Sequence, residues 1–304
     1  MRISKNKEKR STKRCTVVQV YGVWSSVPRR GASLQGRVMG SLYEWQADNK
    51  RKLAAKYKIS ASSIKRRLRK ITKIWQQPDL TGMSGFVHID ATYWGHSWGI
   101  LLALDHKTNM PLYVAFIKSE TTLDYRRAID AVEVAGYKIK GIIVDGKQAL
   151  FKEFEKYPIQ MCQFHMYQII ERRLTKHPKL IASRDLAILV DDMELLDKED
   201  FMNDYNAWKT QWNDFVNRRT IHKDGKSYYL HRRLRSAVTS LDYYLPYLYT
   251  YQRPECDGMP NTNNKIEGTF TDLKKNLNNH SGMSIENRMR FISGYFTDRL
   301  LKII

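Results

Sequence analysis

The spacing of apolar residues changes character several times along the chain. Residues 1–40 show little periodicity and are punctuated by Gly22, Gly31, Gly36 and Gly40, so no fold is expected there. In NKRKLAAKYKISASSIKRRLRKI, Leu53, Ala54, Ile59, Ile64 and Leu68 are spaced as two short helices joined near Tyr57 to Ser60. A polar stretch with Pro78, Gly82 and Gly85 then predicts a linker. Beyond it the runs Phe86–Ile89, Trp98–Leu104 and Pro111–Ile117 predict three strands, with Asp105, Lys107 and Asn109 supplying the second turn. Leu123, Ile129, Val132 and Val134 predict a helix over Thr122–Ala135, and Ile139–Val144 a short, continuously apolar strand. Phe151 and Phe154 belong to a further helix, and Ile159–Phe164 to a fifth strand.

Three strands, a helix, a strand, a helix and a strand is the order of an α/β domain with a ribonuclease-H-like mixed sheet. From His165 to Cys256 no strand is expected. Ile169, Leu174, Leu186, Leu189, Leu195 and Leu196 recur at helical spacing, and Trp208, Trp212 and Phe215 share one helical face as a packing stripe. The expected organisation is a basic arm (1–41), a helix-turn-helix (42–75), a linker (76–85), the first part of the core (86–164), a mainly helical insertion (165–256) and the rest of the core (257–304).

Charge sharpens this division. The chain has 304 residues and a formal net charge of +21. Residues 1–75 hold 21 Lys and Arg against Glu8, Glu44 and Asp48, whereas the remaining 229 carry 31 basic and 28 acidic residues. Such a handle suits a polyanion, double-stranded DNA first of all. A membrane surface is disfavoured because the basic stretch has no sustained apolar face. Ser60 would cap the second helix, whose exposed face would offer Lys65, Arg66, Arg67, Arg69 and Lys70 to phosphates or a groove; an ordinary basic helical hairpin is the bland alternative. No run of about 18 apolar residues and no signal-peptide core occur, so a cytoplasmic location is expected. Cys15, Cys162 and Cys256 are odd in number and widely spaced, which fits a reducing compartment.

Three acidic residues have settings suited to chemistry. Asp90, in GFVHIDATYWG, is expected at the end of the first strand, and Asp145, in IIVDGK, ends another just before Gly146. Glu267, in NTNNKIEGTF, opens a helix with the apolar stripe Ile266, Phe270, Leu273 and Leu277. For each there is a plain alternative: turn or cap residues for the aspartates, and for Glu267 the third-position partner of a capping box led by Asn264. Together they suit phosphodiester chemistry, because carboxylate oxygens hold a pair of Mg²⁺ or Mn²⁺ ions, with Asp90 as the bridge. Cys162 and His165, in MCQFHMYQ, form a C-x-x-H pair. The pair could be half of a zinc site, or a buried cysteine followed by a helix-capping histidine; His165 could also donate to a substrate phosphate.

Asp90 in DATYWG, Asp145 in VDGK, Cys162 and His165 in CQFH, and Glu267 in NNKIEGTF resemble, residue by residue, the motifs of the Mutator-like superfamily of transposases and its bacterial insertion-sequence relatives. The resemblance covers roughly residues 42–304. It implies a catalytic, metal-binding Asp-Asp-Glu triad with His165 beside it and a helical insertion before the glutamate. It also implies a bacterial, nucleoid-associated enzyme that binds terminal inverted repeats and target DNA as a homodimer or larger assembly. Bacterial members often carry a cysteine-pair zinc ribbon ahead of the helix-turn-helix; here only Cys15 lies in that region.

Overall fold

The structure, a computed structural model, describes residues 50–71, 75–95, 97–221, 225–280 and 282–303. The expected arm of residues 1–41, the start of the 42–75 segment and the side chains of Arg67, Arg69 and Lys70 lie outside the described residues. The chain divides into two compact units, Met1–Ile71 and Thr72–Ile304.

In the first unit, α1 (Lys50–Tyr57) and α2 (Ala61–Ile71) flank a tight turn in which Lys58 takes a positive φ of 52°. Leu53 and Ile64 are fully buried. Ser60 Oγ accepts the Ser63 amide at 3.1 Å, satisfying one of the orphan donors at the start of α2. Lys65 and Arg66 are exposed.

The second unit is a mixed α/β structure built on five strands in the order β3-β2-β1-β4-β5. These are β1 (Ser84–Trp94), β2 (Trp98–Asp105), β3 (Pro111–Ile117), β4 (Lys138–Val144) and β5 (Ile159–Met161). The first three form an antiparallel meander; β4 and β5 run parallel to β1. β2 is buried along its whole length because both sheet faces are covered. One face joins Val87, Ile89, Leu101, Ala103, Ile142 and Val144 to Tyr125, Ala128 and Ile129 of α3 (Thr122–Val134), in one apolar cluster. α3 begins with a capping box between Thr121 and Asp124. The opposite face of β1, which alternation gives to Phe86, His88 and Asp90, packs against α9 (Asn264–Asn278), while α10 (Ile285–Leu301) packs on β3.

α4 (Gln148–Glu153) connects β4 to β5, and between β5 and α9 come α5 (Gln163–Leu174), α6 (Ile181–Asp191), α7 (Lys198–Asn217) and α8 (Arg232–Leu248). Trp208 is buried, and Trp212 and Phe215 pack against the same core, as a packing stripe requires.

Four expectations are corrected. β1 runs on to Trp94, so Asp90 is interior to it, because the antiparallel ladder with β2 continues to the Trp94–Trp98 pair. β5 stops at Met161, and Phe164 lies on α5, since Cys162 already occupies the N-cap position. A two-stranded ribbon, β6 (Arg219–Ile221) with β7 (Ser227–Tyr229), interrupts the helices; its strands are three residues long and largely exposed, and so carry no apolar alternation. Residues 76–85 are not a free linker. Leu80 is fully buried in the main core, its amide donates to the Ala135 carbonyl at 2.8 Å, and Gln77 Nε2 donates to the Leu112 carbonyl at 2.7 Å. No helix among the described residues is long and apolar enough to cross a membrane.

Leu80→Ala should therefore cost about 2–5 kcal/mol in the denaturant unfolding of the full chain, as a buried leucine does. A true linker position would change stability by less than about 0.5 kcal/mol.

Candidate carboxylate site

Asp90 and Asp145 meet through strand register. β1 pairs with β4 in parallel, with Val87 opposite Ile142 and His88 opposite Ile143. Continuing that register by two residues puts Asp90 opposite Asp145, immediately beyond the last residue of β4. Asp90 is thus interior with respect to β2 and terminal with respect to β4. The carboxyl ends of parallel strands are where an open sheet offers a crevice.

The electrostatics agree with this placement. Asp90 pairs with Leu102 across the ladder, and desolvation is the largest cause holding its carboxyl well above the usual range. The charges of Asp145, Glu120 and Glu267 push in the same direction, while the Ala91 amide, donating to Asp90 Oδ1 at 2.7 Å, opposes them. Asp145 is also raised, first by burial and then by Glu120, against the Lys147 amide donating at 3.2 Å and the nearby His165 and Lys147. Four acidic side chains therefore feel one another around β1. Gly146 lets the turn after Asp145 pack closely, since a Cβ there would lie 2.7 Å from Ile169 Cδ1. Tyr244 Oη donates to the Gly146 carbonyl and fixes that turn from α8.

Glu267 reaches the site on α9. The N-cap of α9 is Asn263, with no side-chain cap, and Asn264 already lies within the helix, so the expected capping box does not form. Asn263 is occupied elsewhere. Its Oδ1 lies 2.6 Å from His88 Nδ1, and its amide donates to Cys162 Sγ at 3.2 Å. Burial holds His88 down to about 4, so its ring is neutral at neutral pH; a proton on Nδ1 donates to Asn263 and leaves Nε2 to accept from His106 Nδ1 at 3.0 Å. Asn263 thereby ties β1, the start of α5 and the start of α9 together.

Cys162 is fully buried, and burial pushes its thiol up to about 12. His165 lies inside the first turn of α5 and is not its cap. Among the described residues, Cys162, His165 and Glu267 form the trio of ligand-type side chains whose donor atoms all lie within 4.8 Å of one another. His165 Nδ1 and Glu267 Oε1 stand 3.6 Å apart, and both are buried without a hydrogen-bond partner. Asp90, Asp145 and Glu267 do not close into such a trio. Divalent cations, if bound, would be held by Asp90, Asp145 and Glu267 without that closure, since water and substrate oxygens can supply further ligands. Half-buried acids raised first by desolvation and then by one another's charge, together with an orphaned glutamate oxygen, are a donor set that fits hard divalent cations.

The sequence alone did not single out Glu120, Lys147, His88 or Asn263. Lys147 Nζ donates to Glu120 Oε1 and to its carbonyl, both at 2.9 Å, and Tyr125 Oη donates to Glu120 Oε1 at 2.7 Å. Glu120 stands just ahead of the Thr121 capping box, a setting that signals only a helix start. No protein-family model matches the chain, and none of the curated proteins is significantly similar to it.

A group with a raised folded-state carboxyl pKa lowers stability at high pH, and the loss is relieved as pH falls through that pKa. Asp90→Asn should accordingly raise the melting temperature by about 2–4 °C at pH 8 in EDTA. The gain should shrink as the pH is lowered and wild-type Asp90 takes up its proton. Thermal melts of both proteins across pH check this.

Proposed function

We propose that this protein is a DNA transposase of an insertion sequence, which cleaves and joins strands through Asp90, Asp145 and Glu267. The observation that carries the reading is the register that sets Asp90, interior to β1, beside Asp145, just past the end of the parallel β4, on the sheet face to which α9 brings Glu267. The strand order is compatible with a ribonuclease-H-like core, and in this reading the helices from Gln163 to Leu248 would be the insertion before the glutamate. The pair α1 and α2 would act as the helix-turn-helix that holds the terminal inverted repeats, with Lys65, Arg66, Arg67, Arg69 and Lys70 toward DNA.

In this reading Asp90, Asp145 and Glu267 would hold two Mg²⁺ or Mn²⁺ ions. Bound there, the ions would activate an attacking oxygen and stabilise the leaving one. The oxygen of water bonds to phosphorus as the P–O3′ bond breaks, leaving a 3′-hydroxyl; that hydroxyl then attacks a target phosphate in the same manner. His165, beside Glu267, would donate to a phosphate oxygen. Lys147 neutralises Glu120, limiting the negative charge that the substrate phosphate must meet. Transposition needs two ends held together, so a homodimer or larger assembly on DNA belongs to the proposal.

A catalytically silent DNA-binding protein, a regulator or a decayed transposase, is the second reading. The compact Cys162–His165–Glu267 trio favours it, because a glutamate committed there does not flank Asp90. Incubating the full chain and Mn²⁺ with a DNA fragment carrying the gene's own flanks separates the two. The expected result is cutting at fixed flanking positions, lost in Asp145→Asn while duplex affinity stays within about twofold, since that residue would act only in the reaction. Binding with no cutting by the wild type, or equal cutting by Asp145→Asn, would overturn the transposase reading.

A further inference from the structure

α8 presents two unlike faces. Leu234, Ala237, Leu241, Tyr244 and Leu248 are buried, while Arg232, Arg235, Ser236, Thr239 and Ser240 line an open cleft of about 390 Å³. These lining residues recur at i, i+3, i+4, i+7 and i+8, a single helical stripe. Arg173 of α5 and Gln148 of α4 form the opposite wall. Gln148 comes three residues after Asp145, and the charge of Arg173 reaches Tyr244, whose hydroxyl fixes the Gly146 turn.

The cleft is basic beyond what its surroundings require. Residues 76–304 are nearly balanced, yet residues 218–235 alone hold seven Lys and Arg against Asp224. None of Arg173, Arg232 and Arg235 pairs with a carboxylate among the described residues. Aromatic rings hold two of them by the face: Arg235 lies 3.8 Å from the Tyr229 ring centroid and Arg232 lies 5.6 Å from that of Tyr228. Stacking of this kind fixes a guanidinium plane while leaving donor edges for phosphate oxygens, those of Arg235 being the ones not already given to Asn217 Oδ1.

We propose that this cleft is a second DNA-binding site, separate from residues 42–75, which takes the phosphate backbone of a duplex and leads it toward the Asp145 turn. The occupant is argued from charge and form: guanidiniums and hydroxyls suit phosphates and carry no base code. From Arg232 to Tyr243, which also lines the cleft at i+11, the stripe runs about 16 Å along the helix, the length of roughly five base steps. The inference rests on the reading that this protein acts on DNA.

The test is a salt titration of the full-length protein on a fluorescently labelled mixed-sequence duplex in EDTA, comparing wild type, Arg173→Ala/Arg232→Ala and Arg173→Lys/Arg232→Lys. Loss of two phosphate contacts should reduce the slope of log K against log salt by roughly 2, and the affinity near 0.1 M salt by roughly 10–100-fold. The double-lysine protein, which keeps both charges, should recover most of the slope. An unchanged slope and affinity in the double-alanine protein would overturn the proposal, as would a loss that lysine does not restore. Since EDTA prevents metal-dependent cutting, the titration reads binding alone. Absence of Mn²⁺-dependent cleavage therefore counts against the transposase reading only, and an unchanged slope against the cleft only.

Discussion

The candidate site depends on what Asn263 holds together. α9 has no covalent reason to lie on β1, since 175 positions separate His88 from Asn263, yet the amide side chain meets the buried His88 while the backbone amide meets Cys162. A proton on His88 Nδ1 is what makes the contact satisfiable, and burial keeps the ring neutral so that Nε2 is left to accept from His106. Through this junction the sheet, the entry to α5 and the start of α9 share one reference point. Glu267 is four residues further on, one helical turn from the junction.

Against that positioning stands repulsion. Asp90 sits opposite Leu102 with three other acids in range, a costly arrangement that the fold partly offsets with the Ala91 and Lys147 amides and the Lys147–Glu120 pair. Sites of function are where a fold tolerates such local conflict. The same trade explains why the most apolar part of the molecule, fully buried β2, runs beside its most strained charges: one supplies the stability that the other spends.

Much of this was legible in the residues. Pro111–Ile117 and the helix from Thr122 show their periods plainly, and the end of the strand before Asp145, residues 141–144, is a continuous apolar run because both of its faces are covered there. Edges were less legible. β1 outruns its apolar alternation because its last residues are held by pairing with β2, and pairing leaves little mark on composition. Residues 76–85 contain Pro78, Gly82 and Gly85, yet Leu80 fixes the segment into the core, where one buried side chain outweighs three turn formers. In the site, Asp90, Asp145 and Glu267 could be named from their settings. Glu120, Asn263 and His88 could not, because their roles arise from contacts across 27 to 175 positions that no local pattern encodes.

The order of the elements along the chain also sets an order in time. All five strands of the main sheet, and with them both aspartates, are complete by Met161, whereas Glu267 follows 106 residues later. At ribosomal speeds of about 5–20 residues per second, roughly 5–20 s separate the two. During that interval a nascent chain can fold its sheet around a pair of repelling acids while lacking the third. In the proposed transposase, the capacity to break DNA would thus be among the last properties a newly made molecule acquires, well after the means to bind it has emerged.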